Sequence, residues 1–338
     1  MSLVKILLTG ATGYVGGDLL IDLLERTSEF EVHVLIRGNE RSSTFEKLGA
    51  KVVVGSQDDH DFLTKTASRF DVIISVADSL DARTAKAFLL GLEQGKQQYH
   101  HKGILIQNSG SDVVLENTEG EYATEKTWSD LDVQAFNELP LDAQHREVDI
   151  LVTEYPQDKV TTAIISPSNI SGVGRGPYNR LSFINLAYER AVVKYRKPYV
   201  VGKGANIWSS IHIKDVSSAF TSVLDGLLKG TADHGLEGYY FVESGQASMA
   251  EVVQRAAEVL QKKGLLEDTN LIDMPEEVLQ DPDVIPAYIV NDYPGFAKST
   301  LGGTSRVSGD RLRKFGWKPK YTDPLGAVAE EIDVLLAA

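Results

Sequence analysis

The sequence predicts an α/β fold with a doubly wound parallel sheet, and three observations lead to that prediction. A short apolar run from Val4 to Leu8 is followed by regularly spaced glycines and then by leucines at helical spacing. Further apolar runs of strand length alternate with helical segments over the first half of the chain. Hydrophobic residues make up 42% of the 338 positions, which is enough to cover both faces of such a sheet.

The turn after the first strand predicts a dinucleotide site. Gly10 lets the chain turn sharply, Gly13 removes a side chain where a pyrophosphate would approach, and Gly16 lets the helix pack closely on the strand. The free N–H groups at the start of that helix face the phosphates. The predicted cofactor contacts in this turn are Gly10, Thr12, Gly13, Tyr14, Val15 and Gly16.

Charge and composition exclude several classes of protein. The chain carries 48 acidic and 34 basic residues, a net charge of −14, which argues against nucleic acid or an anionic membrane as a partner. It has no cysteine, so disulfides and zinc–thiolate sites are excluded. No apolar run is long enough to span a bilayer, and no signal peptide precedes the first strand. We therefore expect a cytoplasmic location.

The second strand, Glu31 to Ile36, ends where a dinucleotide fold places the residue that reads the adenosine ribose. A carboxylate there favours NAD, but this chain has Arg37, with Arg41 nearby. A guanidinium suits a 2′-phosphate, so the sequence predicts NADP, with NAD less favoured. The alternative is a solvated arginine at a strand end.

Three later strands extend the sheet. They follow a third strand at 51–55 and are the fourth, fifth and sixth, predicted at 70–76, 103–109 and 158–167. Ala77 and Asp78, after the fourth strand, are expected against the cofactor's ribose and pyrophosphate. Residues 109–140 break the pattern, and a loop of this length inside a domain is usually functional. A helix is predicted from Leu141 to Tyr155.

These elements predict a domain division. Residues 1–172 form the dinucleotide-binding domain, and 207–243 return to it as a strand in the main sheet, a helix and a further strand. Residues 173–206 and 244–338 form mainly a smaller subdomain for the substrate.

Three segments in order carry a family resemblance: TGATGYVGG near the start, SSIHIKDVSSAF in the middle and VSGDRLRKFGWKP late in the chain. With them the chain resembles the extended short-chain dehydrogenase/reductases, in an atypical form close to the NAD-dependent epimerase/dehydratase-like family. The resemblance implies a Rossmann-type sheet with a C-terminal substrate-binding subdomain. It also implies hydride transfer at a small carbonyl or alcohol substrate, and it makes a homodimer plausible.

The resemblance also assigns site residues. It implies that Ser109, after the fifth strand, holds the substrate oxygen, with Ser111 as a second candidate. It implies that Asp58 contacts the adenine, although a loop and a helix cap explain the acidic cluster at 58–61, and explain it better than a metal site. The turn after the sixth strand would contact the nicotinamide carboxamide. Its residues are Pro167, Ser168, Asn169 and Ile170.

The family's proton donor is a tyrosine with a lysine four residues later, and the predicted helix lacks this pair. Leu141 and His145 occupy the two positions. A tyrosine followed four residues later by a lysine occurs earlier, at Tyr122 and Lys126, inside the acidic loop formed by residues 109–140. His145 is the other candidate, either holding the nicotinamide ribose or acting as an acid; the alternative is a helix-surface histidine.

Two arginines and three aromatic residues are further candidates for the substrate site. The glycine-rich stretch 172–176 suits a mobile lid, in which Arg175 and Arg180 either meet a substrate anion or stay solvated. Tyr178, Trp208 and Tyr288 either wall an apolar pocket or belong to the core.

The leading hypothesis is an NADP-dependent reductase of a small aldehyde or ketone. The alternatives are a non-catalytic, redox-sensing NADP-binding regulator, favoured by the missing pair, and a sugar-nucleotide epimerase or dehydratase.

Overall fold

The computed structural model describes residues 2–99, 102–286 and 295–337. Within them, seven parallel strands form a central sheet. In chain order these strands are β1 (Val4–Leu8), β2 (Phe30–Ile36), β3 (Lys51–Val54), β4 (Val72–Ser75), β5 (Ile104–Asn108), β7 (Thr161–Pro167) and β11 (Tyr239–Val242). Their spatial order is β3-β2-β1-β4-β5-β7-β11, so the chain winds outward in both directions from β1. The predicted doubly wound, Rossmann-type α/β fold is confirmed.

Helices cover both faces of this sheet because successive strand residues point to opposite sides. The helices concerned are α1 (Tyr14–Leu24), α2 (Ser42–Leu48), α3 (His60–Ala67), α4 (Ala82–Tyr99), α5 (Val133–Asn137), α6 (Arg146–Thr153) and α8 (Ile213–Lys229). Ile6 and Leu8 join one hydrophobic cluster with residues of α1 and α8. Leu7 joins another with residues of α4 and α6. Because β1 is buried on both faces, its sequence is a continuous run of apolar residues over Ile6 to Leu8.

Most of the remaining elements enclose a third hydrophobic cluster, although Ile211 and Leu312 belong to the cluster of Ile6 and Leu8. The strands are β8 (Asn169–Ser171), β9 (Tyr199–Val200), β10 (Ile207–His212), β12 (Gly245–Ser248) and β13 (Ile272–Asp273). The helices are α7 (Ile184–Tyr195), α9 (Met249–Lys262), α10 (Glu276–Leu279), α11 (Phe296–Leu301), α12 (Asp310–Lys314) and α13 (Val328–Ala337). Tyr188, Val253 and Ile332 are buried together where α7, α9 and α13 meet. The proposed domain boundaries stay a prediction.

One strand differs from the prediction. β10 does not return to the main sheet but lies between β8 and β12 in a separate three-stranded sheet. The reason is that β11 occupies the sheet edge beside β7, in register with Val242 opposite Pro167. The helix that follows β10, α8, does pack on α1.

The stretch 109–140 is tied to the C-terminal part of the chain. The amide of Glu116 donates to the carbonyl of Thr304 (2.9 Å), and that of Gly120 donates to the carbonyl of Gly302 (2.7 Å). β6 (Trp128–Ser129) then pairs with β14 (Val307–Ser308). Among the described residues, no helix is long and apolar enough to cross a membrane.

Candidate functional site

The glycine turn after β1 is closely packed against its neighbours. Gly10 has a φ of +75°, and a Cβ there would lie 2.9 Å from the backbone of Ala77. A Cβ on Gly16 would lie 2.4 Å from the carbonyl oxygen of Gly10. On Gly13 a Cβ would meet only that same oxygen, at 3.1 Å, among the described residues. Gly10 and Gly16 therefore serve packing, while Gly13 leaves the cavity side of the turn open.

A cavity of about 570 Å³ lies beside this turn. It brings together five residues of the predicted cofactor set: Gly10, Thr12, Gly13, Arg37 and Ala77. Arg41 and Glu40 line it as well. Arg37 is exposed and forms no hydrogen bond or ion pair within the described part of the chain. The guanidinium of Arg41 stacks on the ring of Tyr178 at 4.7 Å.

Two predicted cofactor contacts lie elsewhere. Asp58 accepts a hydrogen bond from the Ser56 hydroxyl (3.0 Å) outside the cavity lining, and Gln57 lines the cavity instead. Asp78 lies at the surface and accepts from the amide of Leu80 (2.8 Å). Both side chains form hydrogen bonds within local turns, outside the lining of the cavity.

The acidic cluster at 58–61 has a helix-capping role. Asp59 is the N-cap of α3 and accepts from the amide of Phe62 (3.0 Å). Over the described ranges, no group of three or more His, Asp or Glu side chains is arranged to hold a metal ion.

A second cavity, of about 510 Å³, lies at the carboxyl ends of β5 and β7. It gathers the other predicted residues: Tyr14, Val15, Ser109, Pro167, Ser168, Asn169 and Ile170. Ser111, the second candidate, lines it too. Gly13 lines the first cavity and Tyr14 the second, so the two cavities adjoin at the start of α1. Ligands of open parallel sheets bind at this edge.

Ser109 belongs to a buried hydrogen-bond network that the sequence did not reveal. Its hydroxyl lies 3.1 Å from the carboxylate of Asp149 and 3.4 Å from the Tyr239 hydroxyl. The Tyr239 hydroxyl in turn donates to Asp149 (3.1 Å). Burial raises the pKa of Asp149 to about 6, against the opposing effects of the His145 charge and these two hydrogen bonds. The network therefore holds a carboxyl that titrates near neutral pH.

His145 forms an ion pair with Asp112 beside this network. Its Nε2 lies 2.8 Å from Asp112 Oδ1, and its Nδ1 lies 3.3 Å from the carbonyl oxygen of Ser79. Burial lowers the pKa of His145, but the charge and hydrogen bond of Asp112 raise it to about 9 overall. For Asp112, burial raises the pKa, and His145 outweighs this and lowers it. Asp112 lines the second cavity, while His145 lies behind it.

The helix that carries this region is shorter than predicted. α6 begins at Arg146, because its N-cap His145 has a φ of +65° and cannot continue a helix toward Leu141. Leu141 is 77% exposed, so it is not in a tyrosine-like position. His145 and Asp149 are instead four residues apart at the start of α6, which is the spacing expected of the tyrosine and lysine.

The literal tyrosine–lysine match lies away from both cavities. Tyr122 is 57% exposed, and the Lys126 ammonium sits 3.2 Å from the ring centre of Trp128. The prediction that these two residues act at the nicotinamide is not supported. The reason is the attachment of their loop to residues 302–308, where Arg306 donates to the carbonyl of Thr124 (3.0 Å).

The predicted lid arginines are bound within the protein. Arg175 pairs with Asp18 and Asp22, each at 2.7 Å, and Arg180 donates to the carbonyl of Gly174 (2.7 Å). Arg175 is therefore not available for a substrate anion. Of the predicted pocket aromatics, Trp208 lines the second cavity and Tyr178 stacks with Arg41; Tyr288 lies outside the described residues.

Sequence comparisons with known proteins match one family and two relatives. Residues 3–90 match the NmrA-like family. Oxidase ucsJ of an Acremonium species is 26% identical over 93% of this chain and 92% of its own length. An uncharacterised protein of Schizosaccharomyces pombe is 26% identical over 69% of this chain and 74% of its own.

Solved structures share the fold across the whole chain. UDP-glucose 4-epimerase of Thermotoga maritima has a TM-score of 0.66 at 14% identity, with 99% of each chain covered. An NAD complex of dTDP-glucose 4,6-dehydratase from Bacillus anthracis has a TM-score of 0.65 at 17% identity, covering 99% of this chain and 97% of that one. With its NmrA-like N-terminal segment and this fold, the chain shows the predicted resemblance to the extended short-chain dehydrogenase/reductase and epimerase/dehydratase superfamily.

Proposed function

We propose that this protein is an NADP-dependent oxidoreductase that transfers hydride to a small aldehyde or ketone. The observation that carries the proposal is the pair of adjoining cavities on either side of the glycine turn. Their contact at Gly13 and Tyr14 fits a dinucleotide with its adenosine half in the first cavity and its nicotinamide half in the second. The second cavity also contains Ser109, a hydroxyl suited to a carbonyl oxygen.

The residues beside the glycine turn fit a phosphorylated dinucleotide. The amides at the start of α1 and the open side of Gly13 suit a pyrophosphate. Arg37 and Arg41 suit a 2′-phosphate, and Arg37 has no partner among the described residues. Glu40 lines the same cavity and is the group that would favour NAD. When bound, NADPH supplies the hydride.

Ser109 and Asp149 supply the proton in this proposal. As the carbonyl carbon gains the hydride, the π electrons of the C=O bond move to the oxygen, which takes a proton from the Ser109 hydroxyl. Protonated Asp149, 3.1 Å away, returns a proton to Ser109. Its pKa of about 6 suits this exchange near neutral pH, and solvent restores its proton between turnovers. The products are an alcohol and NADP⁺.

The name of one relative supports the reaction class. The Acremonium protein, similar over nearly the full length, is called an oxidase. A second candidate, a non-catalytic NADP-binding regulator, is favoured by the exposed position of Tyr122, which leaves the expected tyrosine–lysine pair out of the site.

The deciding experiment measures NADPH consumption with a panel of aldehydes and ketones, with NADH in parallel and Ser109→Ala as the control. Turnover that prefers NADPH and is lost in Ser109→Ala supports the reductase. Tight NADPH binding without turnover across the panel overturns it in favour of the regulator.

A further inference from the structure

At the second cavity, the Arg190 guanidinium has no counter-ion within the described part of the chain. Arg190 lies on α7, is half-buried and lines the cavity beyond Ser109. Among the described residues its side chain makes no hydrogen bond and no ion pair. By contrast, Arg175 and Arg311 each contact a carboxylate, Asp18 and Asp233 respectively. A partly desolvated guanidinium without a counter-ion lacks the compensation that buried charges normally have.

The rest of the cavity does not neutralise this charge. Asp112 is the acidic residue among the lining residues, and its carboxylate is bound to His145. Two nearly buried lining residues, Ser182 and Trp208, carry a hydroxyl and an indole N–H that have no partner in the described part of the chain. Both groups donate hydrogen bonds. Asn108 adds one unpartnered acceptor, its side-chain oxygen, to the same lining. With the Arg190 guanidinium, the unpartnered donors outnumber this acceptor, which suits an anionic ligand.

Apolar side chains adjoin this cation. Phe183 caps α7, Ile184 begins it, and Leu186 lies four residues, or about one helical turn, before Arg190. Trp208 shares a hydrophobic cluster with Ala187 and Ala191, the latter next to Arg190 in the chain. An apolar wall with one cationic group is complementary to an organic acid that has an apolar body.

We infer that the substrate is an oxo acid whose carboxylate is bound by Arg190 and whose apolar body packs on Phe183, Leu186 and Trp208. The inference rests on the proposed oxidoreductase function. Arg190 is the one cationic side chain among the described lining residues, which makes it a specificity-determining group. Its guanidinium binds a carboxylate through two parallel hydrogen bonds, a contact that a neutral aldehyde or ketone lacks.

The test compares benzoylformate with its methyl ester, which has the same ketone and no charge. In Arg190→Met we expect kcat/KM for benzoylformate to fall about 10- to 100-fold, with a change of about threefold or less for the ester. Arg190→Lys keeps the charge without the planar fork and is expected to lie between the two. Arg255→Met, which removes a half-buried arginine of α9 outside the cavity, is expected to resemble the wild type.

A binding measurement separates this inference from the proposed function. Phenylacetate, which has no carbonyl to reduce, and neutral phenylacetamide are titrated by calorimetry into protein loaded with NADP⁺. Phenylacetate binding that Arg190→Met abolishes supports the carboxylate-binding role of Arg190. If no turnover is found beside such binding, the proposed function fails and the carboxylate site stands. Turnover of the ester without any carboxylate preference overturns the inference and leaves the function. Equal losses for acid and ester also overturn it, with NADPH binding confirming that the variant is folded.

Discussion

Glu189 and Glu331 place their carboxyl groups in hydrogen-bond contact inside the protein. Both are 1% exposed and join α7 to α13. Glu331 also accepts from the amide of Gly172 (2.8 Å), and the carbonyl of Gly172 accepts from the Tyr14 hydroxyl (2.5 Å). Two adjacent buried carboxylates cannot both be ionised at low cost, so the pair retains a proton. The two hydrogen bonds of Gly172 therefore connect this carboxyl pair to Tyr14, the residue at the junction of the two cavities.

The pair makes folding stability depend on pH. Burial and the neighbouring carboxyl raise the pKa of Glu189 above its ordinary value of 4.5, and burial raises that of Glu331 to about 7. The unfolded chain releases these protons more easily, so the stabilisation is complete below about pH 4.5 and is lost as the pH rises through about 7. We expect the free energy of unfolding to fall by about 2 kcal/mol between about pH 6 and pH 8 in denaturant titrations.

Glu189→Gln provides the matched control. Its amide can donate to an ionised Glu331, so no shared proton is needed. The variant is expected to show a smaller fall and to exceed the wild type in stability at the higher pH. An unchanged pH profile in Glu189→Gln would show that another group is responsible.

Ser109 and Asp149 are expected to control the chemical step. Ser109→Ala should lower kcat about 100-fold with little effect on NADPH affinity, because the hydroxyl faces the reacting oxygen rather than the phosphates. In wild-type protein, kcat for reduction should fall as the pH rises through about 6, where Asp149 loses its proton. Asp149→Asn should be slow at every pH and lack this step. Steady-state rates across the pH range provide the measurement.

Tyr122→Phe is the matched control for that prediction. Its hydroxyl is removed from a side chain that is 57% exposed and outside both cavities, so kcat should stay at the wild-type value. A large loss in Tyr122→Phe, with Ser109→Ala active, would mean that the loop at 109–140 moves over the substrate and that the proton comes from the tyrosine.

Arg37 is expected to set the preference between the two cofactors. Arg37→Gln should weaken NADPH binding about 10- to 100-fold, because a charge-assisted contact with the 2′-phosphate is lost, and should leave NADH binding nearly unchanged. Fluorescence titration of both reduced cofactors measures the two affinities. Glu40→Gln removes a negative charge from the same cavity, so we expect NADPH binding to improve in this variant. Parallel losses for NADPH and NADH in Arg37→Gln would instead assign the guanidinium to the pyrophosphate.

Features formed by contiguous residues were predictable from the sequence. The strand, turn and helix around Gly10 to Gly16 depend on local backbone geometry, which the glycines themselves encode. Ser109 and the turn at 167–170 were also found, because the ends of parallel strands meet at one edge of the sheet. The local sequence pattern was sufficient to predict a residue's place wherever the parallel sheet determines that place.

Residues positioned by distant segments were not predictable in this way. Asp112 reaches the cavity because its stretch is bonded to residues 302–308, and Arg190 reaches it through packing of α7 on α9 and α13. No local sequence pattern predicts that Asp112 or Arg190 lines the cavity. Asp149 had one usable signal: it follows His145 by four residues, the spacing expected of the missing pair, but a helix predicted to begin at Leu141 concealed it.

The last prediction separates packing from cofactor binding within the glycine turn. Gly16→Ala brings a methyl group to 2.4 Å from the carbonyl oxygen of Gly10, which is backbone and cannot move aside cheaply. We expect it to lower the free energy of unfolding by about 2 kcal/mol or more. Gly13→Ala meets the same oxygen at 3.1 Å and otherwise faces the cavity, so it should cost less stability but weaken NADPH binding more than tenfold. Thermal unfolding and cofactor titration of both variants measure the two effects. If Gly13→Ala instead bound NADPH normally, the pyrophosphate would have to lie away from this turn, and the assignment of the two cavities to one dinucleotide would fail with it.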